Sequence, residues 1–287
     1  MFEQPTPQQD SVITQAGDEI VVAVRAVAPE FDEMIRAEPL PEGWLPGWDV
    51  AGVVLRSAPE GFGPQPGDRV VGVATGMEWA PLLALPTEYA VVLPDHVSFE
   101  QAAALRVAVL TALRLVRSAG SLAGRRVLVT GAEHGIGHLL VELTAALRAE
   151  VTAVVQDPRE ADRVVALGAA QVVTDCADAD GPFDVVYEAV AGNAGNTALA
   201  GQGLVADGGV VFLYESFAAN GADISFFRFF GGPEQAGLRH FVFRTATPAD
   251  HELAQMLDLL TTGELSLGAA APTAAPAAGG FRLTGAW

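Results

Sequence analysis

Over the first third of the chain, apolar and polar residues alternate in short runs broken by Pro and Gly clusters. Period-two alternation is the mark of strands with one buried face, so residues 19–27, 50–55, 68–73 and 88–93 are predicted strands of a mostly antiparallel, barrel-like sheet. The texture changes at Phe99. Residues 100–118 carry apolar side chains at helical spacing, with Arg106, Arg114 and Arg117 among them. Beyond it, short apolar runs at 126–130, 151–155, 171–174, 184–187 and 209–213 alternate with helical patterns at 136–149, 160–167 and roughly 195–204. That order predicts a parallel, doubly wound sheet. Residues 239–244 read as an outer strand, 248–262 as a last helix, and 281–284 as a strand returning to the first sheet. The Ala/Pro/Gly stretch at 269–280 reads as a loose connection.

Composition narrows the chemistry. Half of the 287 residues are hydrophobic, enough for a large core in one big domain or two smaller ones. The formal charge of −19 argues against nucleic acid or an anionic membrane as partner. All 16 basic residues are arginine, which removes every mechanism that needs a lysine Schiff base, lysine base or P-loop lysine. The single cysteine, Cys176, excludes a disulfide framework and a multi-thiolate zinc site. It has no neighbouring cation to activate it. No basic flank with an apolar run opens the chain and no apolar stretch spans a bilayer, so a cytoplasmic protein is expected.

One segment carries specific chemistry: Arg126-Val-Leu-Val-Thr-Gly-Ala-Glu-His-Gly-Ile-Gly137. A buried strand, a glycine-punctuated loop, an amphipathic helix and a second apolar run follow one another there. Such a unit seats a dinucleotide diphosphate on a helix N-terminus, where small residues let backbone amides come close and the helix dipole offsets the charge.

Further segments share one order with this loop: Pro46-Gly-Trp-Asp-Val-Ala-Gly-Val-Val54, Pro66-Gly-Asp-Arg-Val-Val-Gly72, Glu88-Tyr-Ala-Val-Val-Leu-Pro94, Thr111-Ala112, Leu167-Gly-Ala169, Phe183-Asp-Val-Val186 and Gly208-Gly-Val-Val-Phe-Leu213. Together they resemble the zinc-independent medium-chain dehydrogenases/reductases, in particular the quinone oxidoreductase and enoyl reductase branch. The resemblance implies an α/β protein with a GroES-like β-barrel substrate domain (residues 1–105 and 246–287) and a Rossmann domain (106–245) made of a doubly wound parallel sheet. It also implies a cleft between them and a homodimer. The short-chain reductase fingerprint fits the same glycines. It fails because those enzymes place the loop near the chain start and use a Tyr-x-x-x-Lys pair.

The implied activity is NADPH-dependent reduction of an α,β-unsaturated carbonyl or quinone, with hydride passing to the β-carbon. No metal is expected: Trp48 stands where zinc-dependent relatives hold a histidine. The coenzyme site would comprise Thr111, Gly131, Ala132, Glu133, His134, Gly135, Ile136, Gly137, Gln156, Arg159, Val190 and Leu213. The second strand ends at the apolar Val155 instead of the acid that accepts an NAD ribose, and Arg159 or Arg163 could pair with a 2′-phosphate. NADPH is therefore favoured over NADH, with Asp157 arguing the other way. Tyr214 is the candidate proton donor, against a packing role with one hydrogen bond. Trp48, Tyr89 and Phe227 are candidate substrate contacts, although Tyr89 also fits a barrel core and the Phe226–Phe230 cluster also fits a core or dimer contact.

Three departures from the family pattern stand out. His134 replaces a glycine of the loop, where it could crowd the phosphates, touch them, or mark a decayed site. Pro29 occupies the place of an asparagine that binds the carbonyl in many relatives. A shortened first hairpin and the 269–280 stretch suggest a trimmed, open cleft. They leave an alternative: a coenzyme-impaired relative acting as a coenzyme-independent cyclase or isomerase, or as a non-catalytic partner.

Overall fold

The computed structural model describes residues 15–29, 48–74, 81–133, 135–189, 203–214 and 233–241, together with Glu252 and Thr262. Its first sheet is antiparallel and has five strands: β1 (Glu19–Pro29), β2 (Trp48–Arg56), β3 (Arg69–Ala74), β4 (Leu82–Pro86) and β5 (Ala90–Val92). They are ordered β4-β1-β2-β3-β5. Alternation decides which face is buried. Ile20, Val22, Val24, Val50, Val54, Val70 and Leu85 turn to one side and pack together. Ala26, Ala51 and Val71 turn to the other, where α1 covers them.

Helix α1 (Phe99–Ala119) starts at a capping box in which Ser98 and Gln101 satisfy each other's backbone amides, and it stops at Gly120, whose φ is 76°. Its first turns bury Ala102, Ala103 and Leu110 against the first sheet. Its last turns bury Leu113, Leu115 and Val116 in the core of the second sheet. The helix therefore joins the two sheets.

Arg69 locks the approach to this helix. Its guanidinium donates to the carbonyls of Pro94 and Asp95, each at 2.9 Å, and to that of Val97 at 2.5 Å, and it lies 4.5 Å from the centre of the Phe99 ring. Arg69→Ala leaves three carbonyls to find water and removes the stacking. We expect a loss of about 2–4 kcal/mol in urea unfolding, and Arg69→Lys, lacking the planar fork, to recover less than half. Equal stability of Arg69→Lys and wild type would show that charge alone matters there.

The second sheet is parallel throughout: β6 (Arg126–Thr130), β7 (Glu150–Val154), β8 (Gln171–Val173), β9 (Phe183–Ala189), β10 (Val205–Tyr214) and β11 (Gly237–His240). In space the order is β8-β7-β6-β9-β10-β11. Helices α2 (Gly135–Ala146) and α3 (Ala161–Ala166) follow β6 and β7. The winding direction reverses between β6 and β9, and a crevice opens at the strands' carboxyl ends at such a reversal. One face of the sheet packs on α1, α2 and Val164 of α3; the other buries Leu128, Val154, Cys176, Val186, Val211 and Leu213.

Several expectations are corrected. Leu82–Pro86 is a strand absent from the sequence reading. The strand expected at 88–93 shrinks to Ala90–Val92, because Thr87–Tyr89 forms a 3-10 turn directly after Pro86. Of the helix expected at roughly 195–204 only 203 and 204 are described, and they are not helical: Gly203 has a φ of 72° and β10 begins at Val205. The outer strand is found at Gly237–His240, and positions 242–244 of the expected 239–244 lie outside the described residues. Glu252 and Thr262 have helical backbone, and Glu252 receives hydrogen bonds from Arg114 and Arg117 of α1. The segments at 269–280 and 281–284 lie outside the described residues. Among those described, no helix is long and apolar enough to cross a membrane.

Candidate functional site

The glycine loop joins β6 to α2 at the reversal point. Gly131 turns the chain with a φ of 62°, a conformation that side chains disfavour. Gly137 is needed for space: a Cβ there would sit 2.2 Å from the Gly131 carbonyl oxygen. Ile136 is buried on α2 beside it. The first turn of α2 contains no acidic residue that would repel an anion at its N-terminus.

The loop is tied down on its other side. The Ala132 amide donates to the Val154 carbonyl at 3.1 Å. The Glu133 side chain, 1 % exposed, accepts through Oε1 from the Gln156 amide at 2.7 Å. Arg163 of α3 donates through Nη2 to the Glu133 carbonyl. The Glu133 charge is thereby drawn away from the N-terminus of α2 toward the end of β7. Its Oε2 is buried without a hydrogen-bond partner.

Beneath the loop, three strand ends are fastened together. The Thr130 hydroxyl accepts from the Ala189 amide at 2.8 Å, and Tyr214 reaches across β9 to donate its hydroxyl to the Thr130 carbonyl at 2.8 Å. Tyr214 is buried. The phenol expected to deliver a proton donates to a backbone carbonyl in this structure. Leu213, beside it, is also buried and pairs with Glu188 and His240 in the sheet.

Glu188 on β9 was not singled out by sequence reasoning. It is fully buried, and neither carboxyl oxygen meets a partner in hydrogen-bond geometry. Burial pushes its carboxyl up to about 8, and the nearby Thr130 hydroxyl offsets only part of this. Cys176 is buried too. Its thiol is pushed up to about 12, first by burial and then by the negative charges of Glu188 and Asp175, so it is no nucleophile.

At the end of β7 the arginines are already engaged. Arg159 is 89 % exposed and grips Asp157 at 2.5 Å, and this side-chain bond, with the Arg159 amide, holds the Asp157 carboxyl down at about 2. Arg163 pairs with Glu160 at 2.9 Å. The 2′-phosphate role expected of Arg159 would require it to leave Asp157.

The other candidates fall as follows. Thr111 of α1 is buried and its Oγ1 has no partner, an orphaned donor of the kind a ligand satisfies. Gln156 is exposed. Gly135 opens α2 with a φ of 40°. Tyr89 is half-buried on the 3-10 turn and is no part of the barrel core. Trp48 contributes backbone to β2, while its side chain, His134, Val190 and Phe227 lie outside what is described. Among the described residues no three His, Cys, Asp or Glu side chains gather as a metal site would require. The turn at Gly131 and the close packing at Gly137 fit a dinucleotide.

No protein-family profile matches the chain. Curated relatives match parts of it. A spectinabilin polyketide synthase system protein of Streptomyces orinoci is 37 % identical over 164 residues, 56 % of this chain and 8 % of that protein. The 2-methylene-furan-3-one reductase of Solanum lycopersicum is 31 % identical over 166 residues, 53 % of this chain and 42 % of that one. The matches thus span less than half the length of these relatives. Among solved structures, a quinone oxidoreductase of Pseudomonas syringae superposes with TM-score 0.74 at 26 % identity, covering 90 % of this chain and 85 % of that one. The CurK enoyl reductase superposes with TM-score 0.75 at 22 % identity, over 93 % and 86 % of the two chains. The Escherichia coli quinone oxidoreductase complexed with NADPH gives 0.73 at 21 %, over 91 % and 85 %. The chain therefore has the fold of the medium-chain dehydrogenases/reductases and, within them, resembles the quinone oxidoreductase and enoyl reductase branch.

Proposed function

We propose that the chain binds a reduced nicotinamide dinucleotide across the carboxyl ends of β6, β9 and β10 and reduces an activated carbon–carbon double bond or a quinone of a small molecule. The observation that carries this reading is the placement of the glycine loop, with Gly137 packed on Gly131, at the reversal of strand order. The 2-methylene-furan-3-one reductase and the enoyl reductase and quinone oxidoreductase neighbours support the reaction class. The bound coenzyme would supply hydride to the β-carbon.

The chain's own contribution is positioning. The amides at the start of α2 hold the diphosphate, and the Thr130–Ala189–Tyr214 hydrogen bonds keep the floor of the crevice in one piece. With Tyr214 committed to the Thr130 carbonyl, protonation of the product falls to water. The sequence favoured NADPH through Arg159. With that guanidinium on Asp157, coenzyme choice rests with the groups at the end of β7. A cytoplasmic homodimer is the setting this reading assumes.

The test is loss of reduced-nicotinamide absorbance when NADH or NADPH is mixed with a quinone, an enone and an enoyl thioester in turn. Turnover of at least one supports the assignment. No turnover, together with no saturable change in nicotinamide fluorescence at millimolar coenzyme, overturns it. That result would leave the reading of a coenzyme-independent cyclase or isomerase, or of a non-catalytic partner.

A further inference from the structure

We infer that Glu133 makes this site select NADH over NADPH, the glycine loop itself supplying the acid that β7 lacks. The inference rests on the proposed coenzyme function and deepens it. In dinucleotide-binding sheets the adenosine ribose lies at the end of the second strand, here β7, and an acid on that strand accepts the 2′-hydroxyl. The strand ends here at the apolar Val154, and the buried Val155 follows it. The carboxylate comes instead from the loop: Glu133 Oε1 is fixed on the Gln156 amide, one residue beyond Val155. Oε2 is left buried without a donor.

A carboxylate oxygen only accepts, so the group that satisfies it must bring a proton. The ribose 2′-hydroxyl of NADH brings one. The 2′-phosphate of NADPH brings negative charge, which a desolvated carboxylate repels. The cations that could offset that charge each face an acid already. Arg159 grips Asp157, and Arg163 is divided between Glu160 and the Glu133 carbonyl. The acids at this corner (Glu133, Asp157, Glu160) outnumber the two arginines. On this inference the NADPH expected from Val155 and from Arg159 or Arg163 gives way to NADH, because both arginines face acids.

The experiment is direct titration of the full chain with NADH and with NADPH, followed by nicotinamide fluorescence and independently by the rise in melting temperature on binding. Wild type is expected to bind NADH at least about tenfold more tightly, the size of one charge-assisted hydrogen bond or of one avoided repulsion. In Glu133→Gln the amide oxygen still accepts from Gln156 while the NH2 replaces the free acceptor, so the loop tether survives. The preference should fall to about threefold or less, mainly through tighter NADPH binding. A melting curve without ligand confirms that the variant is folded. Should it not fold, Glu133→Asp, a shorter acid, must weaken NADH selectivity for the inference to stand. Binding of both coenzymes without preference, a preference for NADPH, or an unchanged ratio in the folded variant overturns the inference and leaves the coenzyme function standing. Failure of wild type to bind either coenzyme overturns both.

Discussion

Glu188→Gln will be more stable than the wild type at alkaline pH, and its advantage will shrink as pH falls. In the unfolded chain this carboxyl titrates near its ordinary value of 4.5; in the folded chain it titrates at about 8. The native state therefore holds a proton that the unfolded state has released throughout the interval between those values. Stability present in full below the lower value is lost as pH rises, and above the upper value the loss is complete. At about 1.4 kcal/mol per unit, the loss is on the order of 5 kcal/mol, a large share of a domain's stability. Glutamine has the same shape and no charge, so it removes the slope. Urea unfolding at about pH 6 and pH 9, for wild type and Glu188→Gln, measures the effect. Parallel pH profiles would show that the carboxyl is solvated or paired in solution.

Gly137→Ala is expected to disable the site and destabilise the second sheet together. The added Cβ would meet the Gly131 carbonyl oxygen at 2.2 Å, its carbon at 2.8 Å and the Ala132 Cα at 3.1 Å. All three atoms are backbone, so no side chain can swing aside. Either α2 lifts from the loop or the loop deforms. We expect a loss of about 3 kcal/mol or more and coenzyme binding weakened beyond detection. Gly208→Ala is the matched control. Gly208 has a φ of 70° and nothing within 4 Å of the added carbon, so only the backbone preference is lost, about 1–2 kcal/mol. Coenzyme titration and urea unfolding of both variants separate steric from conformational cost. If the two variants bind coenzyme equally well, tight packing of α2 on the loop is irrelevant to the site.

What the sequence revealed, and what it hid, follows from the range of the interactions involved. The glycine loop was legible because its constraints are local: a turn at Gly131 and close packing at Gly137 fall within one short segment. The alternation of strands and helices after Phe99 was legible for the same reason. Leu82–Pro86 was missed because its run, Leu-Leu-Ala-Leu-Pro, has no period-two pattern, and its strand character comes from pairing with β1. Tyr89 was misread because a proline two residues before the Glu-Tyr pair starts a turn instead of a strand. Glu133 was placed in the coenzyme site, but its reach to Gln156 depends on β6 and β7 lying side by side. Glu188 escaped altogether, and Thr130 was read only as the strand end that opens the loop. An acid in an apolar strand looks solvated until the neighbours on both sides are known.

The bridge from Tyr214 over β9 to Thr130 bears on how such a protein diversifies. Because the platform at the strand termini is self-braced, segments outside it are free to vary without loosening it. Exchange of those outer segments between relatives would then redirect the chain to other small molecules while the coenzyme seat stayed unaltered. Loss of the single phenol hydroxyl, as in Tyr214→Phe, would make every such exchange riskier.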